Sequence, residues 1–113
     1  MAAVYVSNLV INTGETFSQT ITLESSQTNS AYDLTGYTAT SQMRKWAGAS
    51  TAYDFTADIP LPATQGIIIL SMTAAQTALL KSGRHVYDIV ITQESTKARV
   101  VEGNVLVREG VTR

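Results

Sequence analysis

The sequence lacks cysteine entirely and contains a single histidine among its 113 residues. Without cysteine the chain can form neither disulfide bonds nor thiolate metal sites, so its stability must come from packing and hydrogen bonding. With one histidine, any zinc site, proton relay or Ser-His-Asp triad would have to be built around His85. The acidic residues do not have the spacing of a calcium loop, and the glycines do not have that of a phosphate-binding loop. We therefore predict no metal site and no cofactor.

Charged residues are also few, since they make up 15% of the chain and leave a formal net charge of −1. Such a balance gives no long-range field that would attract nucleic acid or an acidic membrane, so neither is predicted as a partner. The first residues lack the basic segment and apolar run of a signal peptide, and the longest apolar stretch, residues 66–70, is too short to span a bilayer. We expect a protein that is made in the cytoplasm and folds as one domain over residues 1–113.

The sequence does have a succession of short alternating segments that are typical of β-strands. We predict strands over residues 9–11, 16–23, 37–46, 53–56, 66–72, 84–92 and 98–108. Residues 66–72 are apolar on both faces and should form a central strand, whereas residues 24–30 should form a surface loop. Turns with positive φ are expected at Gly14, Gly36 and Gly83. The pattern predicts an all-β fold, an antiparallel β-sandwich of about seven to nine strands.

One segment between two strands has the pattern of a short helix near residues 74–81. Thr73 and Gln76 form a predicted capping box at its start, alanine and leucine favour the helix that follows, and Gly83 offers a left-handed stop. A helix of two turns is marginal on its own, so it must dock on the sheet. The side chains expected to dock are those of Leu79 and Leu80.

The neighbouring residues His85, Tyr87 and Asp88 raise the question of catalysis. In an extended strand His85 and Tyr87 face one side while Asp88 faces the other, so Asp88 cannot orient His85 as a triad requires. Asp54 and Asp58 would lie roughly 13 Å apart in an extended chain, which is beyond the separation used by paired carboxylates in glycosidases. We interpret His85 as a residue at the margin of the core and predict that the protein is not an enzyme.

A short basic and aromatic segment, Arg44, Lys45 and Trp46, ends one predicted strand. Two cations give little attraction for nucleic acid, whereas an exposed indole is a good anchor for a protein partner. We therefore predict a protein contact at these three residues.

Three stretches carry a family resemblance through their order and spacing. They are Tyr-Asp-Leu-Thr-Gly-Tyr-Thr at residues 32–38, Gly-Arg-His-Val-Tyr-Asp-Ile at 83–89, and Glu-Gly-Asn-Val at 102–105 closing on Val-Thr-Arg at 111–113. With Ser-Met-Thr-Ala-Ala-Gln-Thr-Ala-Leu-Leu before the second, they resemble small virion structural proteins of tailed bacteriophages, many from marine and cyanobacterial phages. They are more distantly similar to the N-terminal domain of phage upper baseplate proteins.

The resemblance extends over about residues 9–113 and implies a β-sandwich module without catalytic residues that attaches or decorates parts of a virion. Family members often have an aromatic residue where this chain has His85, which implies a packing role there. Gly103 interrupts an apolar face, as expected at a bulge or where another backbone approaches closely. In upper baseplate proteins the domain precedes a helical stalk or receptor-binding part, whereas this sequence stops at Arg113.

We therefore predict a non-enzymatic bacteriophage virion structural protein, an assembly or adaptor module of the tail or baseplate. It should be located in the virion, bind other virion proteins, and occur as a homo-oligomer or in many copies. A head decoration, or cement, protein that stabilises the capsid is the alternative within this class. Alternatives from other classes are a hydrolase built on His85 and a carbohydrate-binding module that uses exposed aromatic residues, Trp46, Tyr5, Tyr32 and Tyr53.

Overall fold

The structure, a computed structural model, describes residues 5–23 and 32–110. The predicted surface loop at 24–30 and the closing motif at 111–113 lie outside the described residues. Within them the strands are β1 (Tyr5–Val6), β2 (Leu9–Asn12), β3 (Phe17–Thr22), β4 (Thr38–Arg44), β5 (Tyr53–Asp58), β6 (Ile67–Met72), β7 (Gly83–Gln93) and β8 (Thr96–Arg108). A short 3-10 helix, Ala63–Gln65, precedes β6, and the α-helix α1, Ala74–Thr77, precedes β7.

These strands form one continuous sheet that folds over into two layers. Their order is β1, β8, β7, β4, β5, β6, β3, and β2 also pairs with β8. The first half of β5 pairs with β4 and its second half pairs with β6, so the sheet turns over at β5. Residues 13–16 then link β2 at one edge of the sheet to β3 at the other. The predicted all-β fold is confirmed. Strand β6, which was expected to be central, is paired on both sides but lies next to the edge strand β3.

The pairing is not antiparallel throughout. Both β1 and β2 run parallel to β8, so the prediction of a wholly antiparallel sheet is wrong at this edge. Hairpins force neighbouring strands to run antiparallel, but most of the chain lies between β2 and β8. Their relative direction is therefore set by where the edge strand packs rather than by a turn.

At this edge the backbone of Ser7, between β1 and β2, lies directly against Gly103 of β8. The carbonyl oxygen of Ser7 lies so close that a Cβ atom on Gly103 would overlap it. The predicted close approach is therefore present. The bulge in β8 lies elsewhere, at Val100, which has no partner where the register shifts between Ile89 and Val90. Since this bulge interrupts the alternation, Val100 and its neighbour Val101 are both buried.

The core lies between the two layers and follows the alternation read from the sequence. Along β7 the inward side chains are all buried, as predicted, and they are His85, Tyr87, Ile89 and Ile91. On β4 Ser41 and Met43 point inward, whereas Thr40 and Gln42 are exposed on the outer face. The outer face of β4 therefore carries polar side chains.

The helix begins as the sequence predicts but is shorter. Thr73 Oγ1 accepts the Gln76 N–H, and Gln76 Oε1 accepts the Thr73 N–H, which makes the capping box. The helix ends at Thr77 rather than near residue 81. After it, the N–H groups of Leu79 and Leu80 donate to carbonyls three residues earlier, as in a 3-10 turn.

This tighter turn decides which leucine reaches the core. In 3-10 geometry residues three apart share a face, so Thr77 and Leu80 point inward together. Leu80 is 6% exposed, whereas Leu79 is 73% exposed, and the predicted docking of Leu79 is therefore wrong. Gly83 has positive φ, as do Gly14 and Gly36, but it opens β7 and does not end the helix.

Candidate protein-contact surface around Trp46

Trp46 is presented by a tight loop that follows β4. The Trp46 carbonyl accepts the Ala49 N–H at 2.9 Å, and Ala49 is buried beneath the loop. The indole itself is 63% exposed. The loop is therefore anchored at one residue while it holds a large aromatic side chain out from the sheet.

Arg44 stabilises this loop rather than offering a free charge. Its Nη1 donates to the Ala49 carbonyl at 2.5 Å, and its Nη2 donates to Gln42 Oε1 at 3.1 Å. The ammonium group of Lys45 lies over Gly83 at the start of β7. Of the three residues predicted to form a protein contact, Trp46 is thus the one best placed to reach a partner.

A groove on the outer face of the sheet begins beside Trp46. This outer groove has a volume of about 710 Å³ and is lined by side chains of β1, β4, β7 and β8. Both signs of charge are present, and Arg99 Nε forms an ion pair with Asp88 Oδ2 at 3.2 Å. Because that pair is well exposed, it contributes little to stability. Val6 and the partly buried Val86 add apolar surface to the groove.

Apolar side chains continue along the same edge of the outer face. Val10 and Leu106 are both exposed and lie opposite each other in the β2–β8 register. Sequence reasoning missed them, together with Val6, as surface residues. A signal was present, since Leu9, Val10 and Ile11 are apolar in succession and a strand can bury only one of its faces against a single core.

A second cleft, the end cleft, lies on the other side of Trp46. It has a volume of about 360 Å³ and is lined by residues of the β4–β5 loop together with Tyr53, Lys81 and His85. The rings of Tyr53 and His85 meet edge to face with their centroids 6.5 Å apart. Aromatic side chains therefore form both the rim and part of the floor of this cleft.

His85 is held as a packing residue. It is 3% exposed, and its Nε2–H donates to the Lys81 carbonyl at 2.9 Å. Its Nδ1 has no hydrogen-bond partner in the part of the chain that the structure describes. Asp88 lies on the opposite face of β7 in its ion pair with Arg99, as the sequence indicates. The described residues therefore bring no carboxylate to orient His85.

Tyr87, the other residue beside His85, has a structural hydrogen bond. Its hydroxyl donates to the Ser7 carbonyl at 2.6 Å and so ties β7 to the edge strand. Burial raises the pKa of the Tyr87 hydroxyl above its ordinary value of 10.0. The group is therefore a neutral donor at physiological pH.

The aromatic residues considered for carbohydrate binding do not form one platform. Trp46 and Tyr53 line the end cleft, but Tyr32 precedes β4 and contacts Tyr37 at the opposite end of that strand. The side chain of Tyr5 lies outside what the structure describes. Within residues 5–23 and 32–110, no cluster of acidic or histidine side chains is arranged to hold a metal ion. No helix in those ranges is long and apolar enough to cross a membrane.

Comparisons with known proteins find similar folds, at low sequence identity to this chain. No family model and no curated protein sequence matches it. Its fold is similar to part of InlP from Listeria monocytogenes, with a TM-score of 0.51 and 14% identity over 90% of this chain and 26% of that one. The chain thus spans about a quarter of InlP.

A phage protein domain shares the fold over nearly its whole length. The N-terminal domain of ORF48 from phage TP901-1 has a TM-score of 0.54 and 11% identity to this chain. The match covers 90% of this chain and 85% of that domain. At this identity the likeness is one of fold.

Proposed function

We propose that this protein is a non-enzymatic virion structural protein of a bacteriophage, an assembly or adaptor module of the tail or baseplate that binds other virion proteins. The observation that carries the proposal is the fold shared with the N-terminal domain of phage TP901-1 ORF48 across 85% of that domain. The resemblance of the ordered motifs at residues 32–38 and 83–89 to phage virion proteins points in the same direction.

The surface around Trp46 suits this role. Aromatic anchors that insert into a partner provide much of the affinity of protein interfaces, and Trp46 is the exposed aromatic side chain on a fixed loop. Beside it, the outer groove and the exposed Val6 extend the area that a partner can cover. With a net charge of −1, binding would depend on buried area rather than on long-range attraction.

Replacing Trp46 by alanine should reduce incorporation into particles without unfolding the protein. Loss of a central aromatic anchor costs about 2 kcal/mol or more of binding, which weakens a complex by about thirtyfold or more. An exposed substitution changes the free energy of unfolding by only about 0.5 kcal/mol. The measurement is the copy number of each variant, by quantitative mass spectrometry, in particles assembled in its presence.

Leu61→Ala is the matched control for this experiment. Leu61 is an exposed large apolar residue that lies outside both clefts, in the connection that precedes β6. Its replacement should leave incorporation unchanged. If Trp46→Ala particles contain as many copies as those of the parent, Trp46 is not the contact residue.

The location in the particle is tested by separating tails from capsids. We expect the protein in purified tails, detected with an antibody or by mass spectrometry. Recovery from capsids alone would contradict the tail proposal and support a head decoration protein. Absence from both fractions of a phage that encodes the protein would contradict a virion role altogether.

A further inference from the structure

Strand β3 is an edge that lacks the usual protection against pairing. Among the described residues it pairs only with β6, and its register with β6 is unbroken. Residues 16–23, Thr-Phe-Ser-Gln-Thr-Ile-Thr-Leu, contain no charged residue and no proline. Natural sheets keep exposed edges apart with lysine, proline, bulges or a covering segment. This strand has none of the first three devices.

The backbone groups on the free side of β3 can be assigned from its ladder. The Leu23 N–H donates to the Gly66 carbonyl at 2.7 Å, which extends the pairing with β6 by one step. Antiparallel partners are bonded at every second residue, so the backbone groups of Ser18, Thr20 and Thr22 point away from β6. In the two described ranges, no backbone hydrogen bond reaches these three residues from another segment. The Thr20 carbonyl accepts a long, exposed hydrogen bond of 3.4 Å from the neighbouring Gln19 Nε2, which a pairing strand would displace.

The opposite edge of the sheet is less suited to a new strand. Ser7 and Asn8 interrupt it between β1 and β2, and both residues already accept hydrogen bonds. The Ser7 carbonyl accepts the Tyr87 hydroxyl, and Asn8 Oδ1 accepts the Asn104 N–H. A continuous ladder of added hydrogen bonds is therefore available at β3 and not at β1 and β2.

We propose that β3 pairs antiparallel with β3 of a second copy of this chain, around a twofold axis at Gln19. The sequence of β3 is chemically palindromic about this residue. In this register apolar residues face apolar residues and hydroxyl residues face hydroxyl residues of the other copy. Phe17 faces Ile21, Ser18 faces Thr20, and Thr16 faces Thr22. The outward backbone groups of Ser18 and Thr20 then form hydrogen-bonded pairs on both sides of the axis.

Side chains support the same arrangement. Phe17 is only partly buried, and the dimer would cover its edge with Ile21 of the other copy. The two Glu15 carboxylates would lie at opposite ends of the interface, roughly 27 Å apart, so they would not repel each other strongly. The pairing follows from β3 alone and does not depend on a role in the virion.

A cysteine scan of β3 tests the register, and the absence of native cysteine leaves each introduced thiol as the only one in its chain. At the axis the two Gln19 residues form a non-hydrogen-bonded pair with Cα atoms about 4.5 Å apart, within the range that a disulfide spans. Gln19→Cys should therefore oxidise to a covalent dimer of twice the 12.1 kDa chain mass. Ser18→Cys and Thr20→Cys should cross-link much more slowly. Faster cross-linking through Thr20→Cys would overturn the Gln19 register.

The oligomeric state of the full chain tests the pairing itself. Sedimentation of the parent should show a dimer, and Thr20→Pro should weaken it by about tenfold or more, because proline removes an outward N–H in each copy. Thr20→Ala keeps that N–H and is the matched control, which should remain a dimer. Circular dichroism establishes that each variant is folded, and if Thr20→Pro does not fold, the cysteine scan decides.

A parent chain that stays monomeric, with no selective cross-linking through Gln19→Cys, would overturn the proposal. That result would leave the virion role standing, since a monomer can still bind other virion proteins. Conversely, a dimer that never enters particles would contradict the proposed function while supporting the pairing of β3.

Discussion

Replacing Leu80 by aspartate is expected to unfold the protein, whereas the same replacement at Leu79 is expected to leave it folded. Leu80 packs in the core, lines a cleft together with Thr13 and Gly14 of the β2–β3 turn, and is 6% exposed, while Leu79 is 73% exposed. Removing a buried leucine side chain costs about 2–5 kcal/mol, and burying a carboxylate in its place costs more. The total stability of a domain is about 5–15 kcal/mol, so Leu80→Asp removes most or all of it.

Thermal unfolding followed by circular dichroism distinguishes the two variants. Leu79→Asp is the control, because it introduces the same charge one residue away and should change the free energy of unfolding by about 0.5 kcal/mol or less. Leu80→Ala should fall between the parent and Leu80→Asp, since it creates a cavity without burying a charge. A parent-like melting temperature for Leu80→Asp would show that the segment after α1 is not docked.

This contrast also shows where sequence reasoning stops. The capping box at Thr73 and Gln76 follows from local hydrogen-bonding chemistry, and it is present where the sequence predicts it. Which leucine becomes buried depends on the change from α-helical to 3-10 hydrogen bonding after Thr77. That change accompanies the packing of Thr77 against the β2–β3 turn, a contact between residues more than sixty positions apart. No local pattern contains this information.

The strands show the same division between local and long-range information. Alternation is a property of each strand, so the inner and outer faces of β4 and β7 could be assigned from sequence alone. The direction of β1 and β2 beside β8 could not, because it depends on which distant strands share an edge. The exposure of Val10 was within reach of local reasoning, because three apolar residues in succession cannot all face one core, but its pairing with the exposed Leu106 on β8 was not.

Of the candidate contact surface, the sequence indicated Trp46 but not the role of Arg44. An indole at the end of a strand, next to charged residues, predicts an exposed aromatic side chain, and Trp46 is exposed. The role of Arg44 was not predictable, because its partner, the Ala49 carbonyl, belongs to a loop whose shape is not evident in the sequence. A cation that looks available in the sequence is in the structure a support for its neighbour.

Replacing Thr77 by valine is expected to have the second large effect on stability. Thr77 is fully buried, and its hydroxyl donates to the Glu15 carbonyl at 2.8 Å while accepting the Gly14 N–H at 3.0 Å. These bonds tie α1 to the turn that joins the two edges of the sheet. Valine has nearly the same shape, so the substitution removes the hydroxyl without opening a cavity. Leaving both backbone groups without their partner should cost about 2 kcal/mol.

A loss of that size corresponds to a decrease of about 8 °C in the melting temperature for a chain of this length. Thr56→Val is the matched control, because Thr56 is exposed on β5 and the same exchange there removes only a solvated hydroxyl. If Thr77→Val and Thr56→Val melt at the same temperature, the hydroxyl of Thr77 does not hold α1 to the turn. If only Thr77→Val is destabilised, the turn between β2 and β3 is held by the hydroxyl of Thr77, a residue more than sixty positions away in sequence.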